Sequence, residues 1–75
     1  MTVEDAYNNI LSDMYEARVT KDITLRTLSE LLGHESIGHL CLIENGKIDP
    51  RLSTILKILD KLDLTLVVVP YSKNE

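Results

Sequence analysis

The sequence predicts a mainly α fold: a compact bundle of four to five short helices closed by one C-terminal β-strand. Three observations carry this. Apolar residues recur at helical spacing through most of the chain, as in Leu52, Ile55, Leu56, Leu59 and Leu62. Helix punctuation returns at short intervals, with Thr2, Thr24 and Ser36 ahead of apolar runs and Gly33 and Gly46 behind them. Leu64 to Val69 breaks that rhythm, being short, β-branched and apolar on both alternating faces, which is strand patterning. The 75 residues allow a single domain over 1–70, with a flexible tail over 71–75.

The first helix is expected over about 3–19. Thr2 with Asp5 forms a start like a capping box, and Val3, Tyr7, Ile10 and Met14 make its apolar stripe. The second spans about 24–32, capped by Thr24, carrying Leu25, Leu28, Leu31 and Leu32, and stopped by Gly33. The third spans about 36–45, with Ser36 as cap, Leu40 and Ile43 inward, and Asn45-Gly46 at its end. The fourth is expected over about 50–62, with Asp49 as cap and Pro50 at the first helical position.

The strand, 64–69, has no second strand in the chain to pair with, and backbone groups need partners. Pairing with the same strand of a second copy across a two-fold axis would supply them. It would also cover both faces, Leu64, Leu66 and Val68 on one and Thr65, Val67 and Val69 on the other. A chain this small buries only about 60% of its unfolded surface, so the extra burial favours a homodimer. The alternative is a strand lying unpaired on the domain as a sticky edge.

Composition narrows the class. One cysteine, Cys41, allows no internal disulfide and suits a reducing cytosol. No apolar run approaches a membrane span, and Glu4 and Asp5 near the start do not resemble a secretory leader. The net charge of −4 argues against a protein that simply coats phosphates. The acidic excess lies entirely before Arg18, in Glu4, Asp5, Asp13 and Glu16; acids and bases balance in the rest of the chain. Two histidines, one cysteine and no nucleophile–base constellation predict that the chain is not an enzyme. His34, His39 and Cys41 lack a zinc spacing, so neither a metal nor a cofactor is expected.

The run ITLRTLSELLGHESIGHLCLIENGKIDP, Ile23 to Pro50, reads as two short helices joined by a tight glycine turn. That is a helix-turn-helix layout, which presents its second helix to the major groove of double-stranded DNA. From about Arg18 to Leu64 the chain resembles the lambda-repressor-like, Cro/C1-type (Xre) helix-turn-helix family. The matching positions are Thr24, Leu28, Gly33, Ile43-Glu44-Asn45-Gly46-Lys47, Pro50, Leu52, Thr54 and Leu56. The segment LSTILKILDKLDLTLVVVP further resembles the end of HipB- and HigA-type antitoxins. The resemblance implies a cytoplasmic bacterial or phage-encoded dimer, paired through its final strand and binding a palindromic operator. Antitoxin members also hold a toxin. Departures are visible too. The spacing from Gly33 to Glu44 is one residue longer than the family's, around His34-Glu35. Ser29 stands for the usual alanine, and Asp22 and Asp63 for glycines that follow helices.

The DNA-binding candidates are Thr24, Leu25, Arg26, Ser36, Ile37, Gly38, His39, Leu42, Lys47 and Arg51. Arg26, Lys47 and Arg51, with the free amides at Thr24 and Leu25, suit phosphate contacts. Ser36 and the first amides of the third helix suit another. His39 is the candidate for a hydrogen bond to a base edge. Gly38 permits close backbone approach, and Cys41 and Leu42 are poor hydrogen-bond readers. Ile37 has two placements: on the reading face against a thymine methyl, or tucked into the core because of the inserted residue. Arg18 matches the family arginine expected to pair with Glu44 in a structural salt bridge. Two functions compete. One is a dimeric repressor, antitoxin-like or phage-type, that regulates its own gene. The other is a protein-binding module whose helix-turn-helix mainly holds a partner.

Overall fold

A computed structural model describes residues 1–72 of the chain. Four helices follow in order: α1 (Val3–Thr20), α2 (Leu25–Leu31), α3 (Ile37–Glu44) and α4 (Leu52–Lys61). No fifth helix occurs among the described residues. α3 packs against both α1 and α2, and α2 also meets α4. Leu11, Met14, Leu28, Leu40, Ile43, Ile55, Ile58, Leu59 and Leu62 form one buried core. This is the Leu/Ile/Met interior required of a chain without Phe or Trp.

The helix starts follow local chemistry. At α1, Asp5 N donates to Thr2 Oγ1 at 3.0 Å and Thr2 N to Asp5 Oδ2 at 3.3 Å, a reciprocal capping box. Thr24 Oγ1 accepts from Thr27 N at 3.0 Å at α2, and Ser36 Oγ from His39 N at 3.2 Å at α3. α4 departs from expectation. It begins at Leu52, not at Pro50, and its cap is Arg51, not Asp49. Pro50 has no N–H to donate and disfavours helical geometry at the residue before it. The first α4 bonds instead run to Arg51 O, from Thr54 N at 3.0 Å and Ile55 N at 3.2 Å, and no side chain caps this end.

All four helices end in the same closure. The residue after each cap turns left-handed: Asp22 (φ 56°), Gly33 (φ 79°), Gly46 (φ 68°) and Asp63 (φ 60°). The next amide then reaches back to the final turn, as in Ile23 N to Arg18 O, Lys47 N to Leu42 O and Leu64 N to Leu59 O, at 3.0, 2.9 and 2.8 Å. This Schellman geometry satisfies carbonyls the helix leaves open.

The strand expected over 64–69 is not formed within the chain. Among the described residues no β-ladder occurs, and 64–69 runs on from α4 without regular structure. A ladder needs a second strand, and this chain holds no other strand-forming segment. Only Leu66 packs against the core. Val67, Val68 and Val69 are 75%, 103% and 64% exposed. The tail expected to be flexible over 71–75 is tethered at its start, where Tyr71 Oη donates to Met1 O at 3.2 Å. Residues 73–75 lie outside the described residues.

Candidate nucleic-acid interface

The turn between α2 and α3 decides how α3 is presented. Gly33 ends α2, and His34 follows it into the left-handed region (φ 68°), so two such residues stand in succession. This doubled turn absorbs the extra residue between the glycine and Glu44. Ser29 fastens it. Its carbonyl accepts from His34 N at 2.8 Å and Glu35 N at 3.2 Å, and its hydroxyl donates to Glu35 O. The serine and the longer turn therefore belong together: an alanine would leave the Glu35 carbonyl without that donor. Ser29 is buried, so Ser29→Ala is expected to cost about 1–3 kcal/mol, the penalty for stranding a buried polar group. Urea denaturation of the two proteins checks this, and Ser53→Ala on the exposed side of α4 serves as the neutral comparison.

Arg18 ties α1 to α3. Its Nε donates to Glu44 Oε2 at 2.6 Å and its Nη2 to Glu44 Oε1 at 3.0 Å, a two-pronged ion pair. Nη1 donates to Ile23 O at 2.8 Å, and the guanidinium lies 5.4 Å from the Tyr15 ring centre. The two side chains are 12% and 9% exposed, so water screens the pair little. The pair fixes the last turn of α3 against the last turn of α1 and holds the reading helix in place.

The candidate contact residues and their neighbours fall into distinct groups. Arg26, Lys47 and Arg51 are exposed, on α2, just after α3, and at the cap of α4. Ile37, Gly38, Cys41 and Leu42 form the exposed side of α3, opposite the buried Leu40 and Ile43. The placement of Ile37 in the core is overturned: as the first residue of α3 it stands 39% exposed and does not pack against the buried core. Leu25 faces the other way, half-buried against the core, so only its backbone is open to a ligand.

Two candidates, Ser36 and His39, are engaged within the protein. Glu35 Oε1 lies 3.2 Å from His39 Nδ1 and accepts from Ser36 N at 3.3 Å. The first amide of the α3 region and one imidazole nitrogen are thus already held by a carboxylate. A phosphate arriving at this helix end meets Glu35 first. The one-turn spacing of Glu35 and His39 was the available clue.

Residues 14–69 match the family model described as helix-turn-helix. The chain belongs to the Cro/C1-type helix-turn-helix family. It is thereby a DNA-binding transcription regulator by class. No curated protein and no solved structure matches the chain. In this family's terms α2 is the helix that crosses the DNA backbone and α3 the one presented to the groove. Among the described residues no group of His, Cys, Asp or Glu side chains is placed to hold a metal ion, and no helix is long and apolar enough to cross a membrane.

Proposed function

We propose that this helix-turn-helix protein is a repressor that binds a palindromic operator as a homodimer, in an autoregulatory, antitoxin-like or phage-type setting. It acts by binding and not by catalysis. The observation that carries the dimer is the C-terminal segment. Three consecutive valines, Val67, Val68 and Val69, stand largely exposed among the described residues, a heavy exposure of apolar surface for 75 residues. Pairing of 64–69 between two copies would hide them and supply the missing ladder. The HipB-like sequence of this segment supports the same arrangement. Phosphate contacts fall to Arg26, Lys47 and Arg51, with α4's uncapped amides beside Arg51.

The test is fluorescence anisotropy on DNA from upstream of the protein's own gene, against a scrambled duplex, at two salt concentrations. Preferential binding to the native fragment supports the repressor. Equal, weak binding that salt abolishes removes it. That second outcome favours the other reading, a scaffold that holds a partner protein. Its supporting observation is Glu35, whose carboxylate sits where a phosphate contact would form.

Gly38 gives a separate check. A Cβ there would meet only Ser36 Oγ, at 3.8 Å, so the helix tolerates it. Gly38→Ala is expected to raise stability by up to about 1 kcal/mol through helix propensity. On the DNA side the added methyl blocks close approach, and overpacking of about 1–3 kcal/mol weakens binding by roughly 5- to 150-fold. Thermal melts and anisotropy moving in opposite directions place Gly38 at the interface. Unchanged affinity removes it from the contact surface.

A further inference from the structure

We propose that α3 reads the 5-methyl groups of thymines, and not the hydrogen-bonding edges of bases. This rests on the DNA-reading function proposed above and names what is read there. The argument starts from what α3 has left to offer. Of the polar side chains on and beside this helix, His39 and Asn45 each have one nitrogen engaged within the protein. His39 Nδ1 is held at 3.2 Å by Glu35, and the Asn45 amide donates to Cys41 O at 2.9 Å and lies 3.3 Å from Cys41 Sγ. The exposed side is instead apolar: Ile37 at 39%, Leu42 at 44%, and Cys41, a free thiol. Gly38 leaves the backbone without a side chain among them, and a Cβ there would meet only Ser36 Oγ, at 3.8 Å.

A base edge in the major groove presents donors, acceptors and one apolar group, the thymine C5 methyl. Water satisfies the donors and acceptors when the protein does not, but burying apolar side chains against them strands polar atoms. The methyl is the group for which Ile37 and Leu42 gain free energy on contact. Gly38 lets the helix settle deep enough for both to reach the groove floor. The expected operator therefore carries thymines, in either strand, at fixed positions in each half-site.

The experiment selects duplexes from a random-sequence pool with the full-length protein. The best duplex is then resynthesised with deoxyuridine replacing each thymidine in turn. This change removes the methyl and leaves every hydrogen-bonding group in place. At one or two positions per half-site affinity is expected to fall about fourfold, the worth of one buried methyl, and about fifteenfold when the symmetric methyl is removed too. Ile37→Ala and Leu42→Ala, both at exposed positions, are expected to fold normally and to abolish that sensitivity at separate thymines. DNA is also expected to protect Cys41 from alkylation. Enrichment with protection of Cys41 but indifference to deoxyuridine overturns methyl reading and leaves the DNA-binding function standing. Absence of any enriched sequence overturns both.

Discussion

Glu44→Ala is expected to cost about 3 kcal/mol of folding stability, because it strands a nearly buried guanidinium. Arg18 would keep only the Ile23 carbonyl and the Tyr15 ring as partners, neither of which carries charge. A domain of this size has about 5–15 kcal/mol in total, so the loss is a large share. It corresponds to a fall in melting temperature of more than about 12 °C. Glu30→Ala, at an exposed site on α2, is expected to stay within about 0.5 kcal/mol of the parent. Equal melting temperatures for the two variants would refute the structural role of the pair. Added salt should barely narrow the gap, since both side chains lie out of the ionic atmosphere's reach.

The second large effect concerns assembly. Val68 is fully exposed and touches nothing in its own chain that a substitution would disturb. Val68→Asp is therefore expected to leave the monomer's helicity and melting intact. In a two-fold pairing of 64–69 it places like charges close together in an apolar seam, which separates the copies. Two half-sites would then bind independently, and affinity for a palindromic operator should drop about a hundredfold or more. Sedimentation at several concentrations, alongside anisotropy, measures both consequences. A parent protein that sediments as a monomer at every concentration would remove the dimer from the proposal.

The four helices were legible because their ends carry strong local chemistry. Thr2, Thr24 and Ser36 each form the cap that their type and spacing suggest. The start of α4 was misplaced by two residues because Asp49-Pro50 also suits an extended approach to a helix. The strand was misread for a different reason. Period-2 apolar patterning records that a segment favours cover on two faces, but not that the chain itself supplies the second strand a ladder requires. At the candidate interface, Arg26, Lys47 and Arg51 could be placed from sequence, since exposed bases near helix ends need little tertiary information. Ile37 could not, because its position depends on how the turn accommodates one extra residue. That accommodation rests on the bonds between Ser29 and the His34–Glu35 backbone, which cross the turn and leave no periodic trace.

Three of the bends that join these helices hold side-chain-bearing residues in a conformation built for glycine: Asp22, His34 and Asp63. Each stores backbone strain, moderated by the tolerance of aspartate and histidine for that region. None belongs to the apolar side of α3 or to the exposed bases. The ion pair at one of them, Lys21 to Asp63 at 3.2 Å, is exposed and adds little. The molecule thus carries an unspent reserve of rigidity in its joints. Glycine at these sites would release it and tighten the scaffold while leaving the surface it offers to DNA unchanged.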